Sequence, residues 1–322
     1  MENLSLRAFD RFTHDVIVVD GLWGTGKQLV NSIVGAAALV EHYKYNADYD
    51  YFLALHWLGR LDVNATTTLL QLLEGRNQYY GLIGREINLR LHDESGLGSH
   101  PRRVEWVRRL VSSDGDAVAE RIDRENIASN LMTHCISIAR RPLSEAFGNR
   151  LRFIEVVRHP VHLVRHWSRF LGDKLWRRTR EFNLAVDCSN VKVPWFASPF
   201  ASEFSRSSVA DRACLCVARL TSSILDGVES DTPGASLHVP FEQLVLDPGP
   251  SLKQIALFLS RDWTRRLEWV LRRNGVPRQR IADGPRIGPR YRWTSSGSDA
   301  EVYRRLADEI DAEVSAPVRD EF

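Results

Sequence analysis

Short runs of apolar and β-branched residues alternate along this chain with stretches that carry apolar residues at helical spacing. The runs Val16 to Asp20, Arg152 to Val157 and Ser236 to Val239 predict strands. Helices are predicted to follow them over residues 27–40, 160–167 and 250–259. Buried parallel strands joined by helices form a sheet that is covered on both faces. The pattern therefore predicts the α/β class, with a three-layer α/β/α arrangement around a central parallel sheet.

The remaining segments are predicted to be mainly helical. Asn64 is expected to cap a helix over Ala65–Glu74. Residues 96–101 and 114–116 predict a loop and a turn. Residues 191–208, which contain two prolines and several serines, predict a loop or lid. Further helices are expected over 209–228, 263–274 and 299–314. No domain boundary is indicated, so residues 1–322 are predicted to be a single domain with a mainly helical insertion around 45–130.

One glycine-rich segment carries the clearest chemical signal. Gly21 to Lys27 fits the G-x-x-x-x-G-K pattern, directly after the first predicted strand and at the start of a helix. Such a loop directs backbone N–H groups and the positive end of a helix dipole at a phosphate or sulfate, and Lys27 adds a mobile charge. The candidate binding residues are Gly21, Trp23, Gly24, Thr25, Gly26, Lys27 and Gln28. Because Gln28 stands where Ser or Thr usually holds Mg²⁺, this P-loop-like site is predicted to bind an anion without a metal.

Composition narrows the class of protein. A net charge of +2, 43% hydrophobic residues and 26% charged residues are typical of a soluble globular protein and do not indicate a nucleic-acid partner. The four cysteines are irregularly placed and do not form a zinc pattern, so reduced thiols are expected. No run has the length of a signal peptide or a membrane span, which predicts a cytoplasmic protein without a membrane partner. Five arginines against one acid between Val276 and Trp293 suit a polyanion.

Several segments, taken in order, resemble the sulfotransferases. Thr133-His134 resembles the Thr-His pair that precedes the strand of their donor site, and Arg158-His159-Pro160 resembles the turn after that strand. The segment 239–248 resembles their Tyr-Glu-Asp-Leu…Asp-Pro stretch, and residues 286–293 resemble their late Arg-x-Gly and basic segment. The donor of this family is 3′-phosphoadenosine-5′-phosphosulfate.

The resemblance implies roles for particular residues. Lys27 and its loop would bind the 5′-phosphosulfate, and His134 would be the general base. The residues implied for the 3′-phosphate are Arg158, His166, Arg286, Gly288 and Arg292. The chain departs from the family in two places: the lysine occupies the Walker position, and His166 replaces a serine.

Alternatives to the base and to the activity remain open at this stage. Carbohydrate-directed members use a glutamate after the loop helix, for which Glu41 is the nearest counterpart and Glu86 a weaker one, whereas His56 and His159 are expected to be structural. The implied reaction is sulfuryl transfer to a hydroxyl or amine of a carbohydrate or small molecule. An aromatic acceptor wall is expected from Trp57, Tyr79, Tyr80, Trp167, Trp176 and Trp195. The rival interpretations are an ATP-dependent P-loop kinase and a non-catalytic nucleotide-binding protein.

Overall fold

The computed structural model describes residues 5–90, 96–99, 102–172, 183–229 and 236–281. Five of the sequence predictions lie outside these residues. They are Arg286, Gly288 and Arg292 of the late basic segment, the aromatic residue Trp176, and the helix over 299–314.

A central sheet of parallel strands confirms the predicted α/β class. The strands within the described residues are β1 Val16–Asp20, β2 Lys44–Tyr45, β3 Ser129–Met132, β4 Leu151–Val157, β5 Ala185–Cys188, β6 Val191–Pro194 and β7 Ser236–Pro240. Five of them form the sheet in the order β2-β3-β1-β4-β7, and every pairing in it is parallel. Strands β5 and β6 form a separate antiparallel hairpin.

Helices cover both faces of this sheet, which makes the three predicted layers. They are α1 Lys27–Val34, α2 Ala47–Trp57, α3 Val63–Leu82, α4 Arg103–Arg109, α5 Asp116–Glu125, α6 Arg141–Phe147, α7 Pro160–Gly172, α8 Ala201–Arg206, α9 Val209–Glu229, α10 Phe241–Leu246, α11 Pro248–Leu259 and α12 Arg266–Arg273. Ile17 and Val19 pack with α1, α10 and α11, whereas Val16 and Val18 pack with α2, α3 and α6. This alternation along β1 follows the two-residue period of a strand.

Three sequence predictions about local structure were wrong. Helix α1 ends at Val34 and not near residue 40: after its C-cap Gly35, the amides of Ala36 and Ala37 donate to the carbonyls of Ile33 and Val34 in i→i−3 turns. Asp62, not Asn64, caps α3: its carboxylate accepts from the Ala65 amide at 2.8 Å. The Asn64 side chain instead accepts from the Leu6 amide at 2.7 Å.

The segment 191–208 is not a loop. It consists of β6, a 3₁₀ helix over Trp195–Phe200 and α8. Trp195 and Phe196 are buried in a core cluster with α7 and α9. Its prolines lie where they are compatible with structure, since Pro194 ends a strand and Pro199 lies within the short 3₁₀ helix.

Membrane-spanning geometry is absent from the described helices. None of them combines the length and the apolar character that crossing a bilayer requires.

Candidate active site

The glycine loop joins β1 to α1 and owes its shape to two positions that only glycine occupies without strain. Gly24 and Gly26 have φ angles of 91° and 87°, in the left-handed region. A Cβ atom on Gly24 would lie 2.7 Å from the His166 ring, and one on Gly26 would collide with the Phe241 ring. The loop is therefore held between α7 and α10, in a conformation that directs its backbone toward the start of α1.

The lysine of the motif lies inside this loop. Its Nζ donates hydrogen bonds to the carbonyls of Gly21 at 2.8 Å and Leu22 at 3.3 Å, and Lys27 is only 5% exposed. Burial lowers the pKa of this ammonium group from its ordinary value. The first amides of α1 have no acceptor within the helix, and its first turn carries no acidic residue. The N-terminal end of α1 thus offers N–H donors, the positive end of the helix dipole and an ammonium group to one anion.

The residue after the lysine is engaged by the protein. Gln28 Nε2 donates to the Tyr43 hydroxyl at 3.0 Å. The position that a Walker loop uses for its magnesium-binding hydroxyl is here an amide that ties α1 to the chain entering β2.

His134 lies against the glycine loop although 110 residues separate it from Gly24. It follows β3, which pairs with β1, so the carboxyl ends of these two strands bring them together. The imidazole stacks on the Trp23 indole, with centroids 5.7 Å apart and planes 26° apart. The Tyr45 ring meets it edge-on at 4.8 Å. The structure therefore brings together the loop and the histidine that the resemblance singled out.

A carboxyl group that sequence reasoning missed contacts this histidine. Asp50 Oδ1 accepts from the His134 backbone N–H at 3.1 Å, and Oδ2 lies 3.3 Å from His134 Nδ1. Both side chains are largely buried, at 13% and 17% exposure. Burial raises the pKa of Asp50 to about 7. Burial and then the Lys27 charge hold the pKa of His134 well below its ordinary value. His134 is therefore neutral, with its Nδ1 facing an acid.

Arg158 and His166 both contact the loop at Gly24. Arg158 Nη1 donates to the Gly24 carbonyl at 2.8 Å, and its guanidinium lies 4.7 Å from the Phe241 ring centroid. Its Nε lies 3.8 Å from Glu242 Oε1. Burial, followed by the Arg158 charge, lowers the pKa of His166 to about 4, so this imidazole is neutral too. The structure brings these two predicted 3′-phosphate residues to the loop.

Glu41 is not brought to this site. A parallel bridge joins Val40 to Ala128, just before β3 begins, so Glu41 lies toward the edge of the sheet where strands start. Arg109 donates to both carboxylate oxygens, at 2.8 and 2.9 Å. Burial alone would raise the pKa of Glu41, but hydrogen bonds and charge from Arg109 hold it below its ordinary value. This carboxylate is thus held by Arg109 at the end of the sheet opposite to the glycine loop.

The other alternative bases have structural partners. Glu86 lies 3.4 Å from Lys44 Nζ. The His56 Nδ1 atom lies 3.1 Å from the Leu61 carbonyl oxygen, and His159 Nδ1 accepts from the Val161 amide at 3.4 Å.

Sequence comparisons identify no relative: no protein-family model and no curated protein matches the chain. Several solved structures, however, are similar to the chain. The chain is similar to the sulfotransferase domain from the Synechococcus PCC 7002 olefin synthase, at 15% identity and a TM-score of 0.42, with 96% of this chain and 98% of that chain covered. It is also similar to the sulfotransferase domain from the curacin biosynthetic pathway, at 13% identity, a TM-score of 0.43 and coverage of 80% and 77%. Sulfotransferase STF9 from Mycobacterium avium follows at 14% identity, a TM-score of 0.38 and coverage of 93% and 77%. All three proteins are sulfotransferases.

Within the described residues, the aromatic side chains predicted to line an acceptor pocket are buried or partly buried and have partners in the protein. Trp167 is fully buried and donates from Nε1 to the Trp23 carbonyl at 2.9 Å, so it supports the loop and does not line a pocket. Trp57 meets the buried Trp195 edge-on at 5.5 Å. Tyr79 accepts from the Gly115 amide at 2.8 Å, and Arg85 lies over Tyr80.

Tyr45, which sequence reasoning did not select, is 48% exposed beside His134. An anion-binding position at the start of α1, the neutral imidazole of His134 and the accessible ring of Tyr45 thus lie together at one edge of the sheet.

Proposed function

We propose that the protein is a sulfotransferase, which moves the sulfuryl group of 3′-phosphoadenosine-5′-phosphosulfate to a hydroxyl or amine of a small molecule or carbohydrate. One observation carries this proposal: a neutral histidine, with an acid at its Nδ1, stacks on the phosphate loop itself. Group transfer from an anionic donor needs charge stabilisation and proton removal at the same place. His134 and Lys27 supply these two functions at one edge of the sheet.

The loop suits the phosphosulfate end of this donor. The amides at the start of α1 are directed at an anion, and Lys27 is the cation available beside them. An incoming anion would compete with the Gly21 and Leu22 carbonyls for the Lys27 ammonium group. During transfer Lys27 would then stabilise the negative charge that develops on the leaving phosphate oxygen.

His134 is the proposed general base. Nδ1 lies 3.3 Å from Asp50 Oδ2, and in the tautomer protonated at Nδ1 the lone pair on Nε2 would take the proton of the acceptor hydroxyl. The acceptor oxygen forms its bond to sulfur as the bond from sulfur to the leaving phosphate oxygen breaks. The proton remains on Nε2, and the Asp50 carboxylate stabilises the imidazolium that results.

Arg158 and His166 are proposed to serve the 3′-phosphate, together with Arg286, Gly288 and Arg292 from the late basic segment. The support is that Arg158 lies 23% exposed at the loop, where its guanidinium can donate to a phosphate as well as to Gly24. We further propose a cytoplasmic location, in keeping with four free cysteines.

Transfer is tested with a radiosulfate-labelled donor and a panel of phenols, sugars and amines in the presence of EDTA. The proposal predicts a labelled product with the unmodified protein and a loss of about 10²–10⁴-fold in His134→Ala. The matched control is His56→Ala, because the His56 ring packs near Leu61 and not at the loop. Phosphoryl transfer from Mg-ATP to the same panel, with no sulfuryl transfer, would establish the kinase interpretation instead.

A further inference from the structure

A pair of buried acids lies beneath the glycine loop, and neither acid has a role in the mechanism proposed above. In the register of β1 against β4, Asp20 is paired with Glu155. Paired residues on neighbouring strands project from the same face of the sheet, and the strands lie about 4.7–4.9 Å apart. Asp20 is 0% exposed and Glu155 is 1% exposed. Two ionised carboxylates that are this close and buried away from water repel each other strongly, so we expect one of them to be protonated.

The hydrogen bonds around the pair indicate where a proton must lie. Asp20 Oδ1 accepts from the Thr133 hydroxyl at 3.0 Å, and Oδ2 accepts from the Ser137 amide at 2.9 Å. Ser137 Oγ lies 2.7 Å from Asp20 Oδ2 and also within hydrogen-bond distance of Glu155 Oε2.

A serine hydroxyl has one proton and can donate to only one of these acids. If it donates to Asp20, which already accepts from two other donors, the contact with Glu155 requires a proton on Glu155.

We propose that Asp20 and Glu155 share one proton, carried by Glu155 and donated to Ser137 Oγ, so that the pair presents a single negative charge to Lys27 beneath the phosphate loop. Asp20 then acts as a positioning residue, because its charge holds the Lys27 ammonium group at the base of the loop. No covalent step is involved, and the proton moves only when Glu155 ionises.

The charges around the pair agree with this assignment. Burial and then the charge of Asp20 raise the pKa of Glu155 to about 8. Burial also raises the pKa of Asp20, while Lys27 acts in the opposite direction. Asp50 from α2 raises the pKa of Asp20, and the charges of Lys27 and Arg140 lower the pKa of Glu155. The buried side chains of His134 and Cys135 also interact with the pair. A pKa of about 8 for Glu155 agrees with a proton on this residue at neutral pH.

A consequence for donor binding follows, and it rests on the proposed function. Ionisation of Glu155 adds a second negative charge beneath the anion-binding position formed by Lys27 and the first amides of α1. A unit charge at about 10 Å, at an effective dielectric constant of about 20, changes affinity roughly tenfold. We therefore expect the affinity for 3′-phosphoadenosine 5′-phosphate to fall as the pH rises through about 8.

The first test reads the proton directly in the full-length protein without any ligand. Carboxyl NMR of protein carrying isotope-labelled glutamate should show one glutamic acid that remains protonated at neutral pH and titrates near pH 8. This signal should vanish in Glu155→Gln. If every glutamate of the unmodified protein is ionised at pH 7, the proposal is wrong, whether or not the variant folds.

The second test uses stability. The unfolded chain ionises Glu155 near its ordinary pKa of 4.5, whereas the folded protein keeps the proton until about pH 8. The folded state therefore binds more protons within this window, and its stability falls as the pH rises. Glu155→Gln, an isostere of the protonated acid, should match the unmodified protein near pH 5 and exceed its melting temperature increasingly up to pH 8.

The exposed Glu120→Gln variant is the control and should show no such trend. If the melting temperatures of Glu155→Gln and the unmodified protein differ by the same amount at every pH, the proposal of a shared proton is wrong.

The third test separates this inference from the proposed function. Calorimetric affinity for 3′-phosphoadenosine 5′-phosphate should decline between pH 7 and 9 in the unmodified protein and in Asp50→Asn, but be flatter in Glu155→Gln. Parallel declines in all three proteins would contradict the electrostatic role of the pair. If none of them binds this nucleotide while the NMR signal of Glu155 is present, the proposed function fails and the shared proton stands.

Discussion

At the scale of single residues, the account depends first on Lys27. Its ammonium group is buried and donates to two carbonyls of its own loop. We expect Lys27→Ala to fold but to lose about 10²–10³-fold in turnover, the usual effect of removing one group that stabilises transition-state charge. Sulfuryl transfer with a labelled donor measures this change. Lys253→Ala, which removes an exposed lysine on α11, is the control. Full activity in a folded Lys27→Ala protein would exclude the loop from the chemistry.

The second residue-scale prediction concerns the pH dependence of the His134–Asp50 pair. Asp50 has a pKa of about 7, and its ionised form stabilises the imidazolium that forms during transfer. Activity should therefore rise as the pH increases through about 7. In Asp50→Asn the maximal rate should fall and this rise should disappear, because the pKa of His134 is already well below its ordinary value.

The measurement is the maximal rate as a function of pH, at saturating donor, for both proteins. An unchanged profile in Asp50→Asn would show that Asp50 does not act through His134. Since the two groups interact, the apparent pKa values of the rate profile belong to the His134–Asp50 pair and not to either residue alone.

At the scale of elements, the turn from β1 to α1 depends on close packing against α10. Gly26→Ala places a Cβ against the Phe241 ring and also strains a backbone with φ of 87°. Gly59 has a φ of 67°, but nothing lies within 4 Å of its added Cβ, so Gly59→Ala carries the strain alone. The left-handed conformation costs roughly 1–2 kcal/mol for an alanine. We expect denaturant unfolding to show a larger loss in Gly26→Ala than in Gly59→Ala, and equal losses would contradict the packing argument.

The ion pair between Glu41 and Arg109 ties α4 to the chain before β2. Both side chains are nearly buried, at 10% and 9% exposure. Removing Arg109 breaks this buried pair, which costs up to about 3–5 kcal/mol because Arg102, 3.7 Å from Glu41, compensates the remaining charge only in part. Arg109→Ala should therefore lower the free energy of unfolding by about this amount, as measured by urea unfolding. Turnover per folded molecule should stay near that of the unmodified protein, and a specific loss of turnover in Glu41→Gln would revive the glutamate as a base.

Sequence patterns predicted some elements better than others for physical reasons. Strands β1 and β4 are recognisable because they are apolar on both faces, and α7 because Pro160 fits its first turn. Strand β3 has the sequence Ser-Asn-Leu-Met and was missed. Its Asn130 is buried because the side-chain amide donates to the carbonyls of Asn31 and Glu41, contacts that no local pattern reveals.

At the scale of the whole molecule, the site divides into a part with local signals and a part without them. The glycine loop is one continuous motif, and Thr133-His134 carried a family resemblance, so both could be found in the sequence. Asp50 and Tyr45 reach His134 only because β2 pairs beside β3. The pairing of Asp20 with Glu155 likewise depends on strand register. Tertiary structure therefore supplies the groups that set the protonation of the site.

The most direct measurement of the central claim is titration calorimetry of the whole protein with 3′-phosphoadenosine 5′-phosphate in EDTA, beside Mg-ATP in magnesium buffer. The account predicts saturable binding of the bisphosphorylated nucleotide without metal, at least tenfold weaker binding in Lys27→Ala, and much weaker binding of Mg-ATP. Lys27 and the amides of α1 would bind its 5′-phosphate, and Arg158 at the loop would bind its 3′-phosphate. Saturable binding of Mg-ATP alone, with no heat from 3′-phosphoadenosine 5′-phosphate, would contradict it.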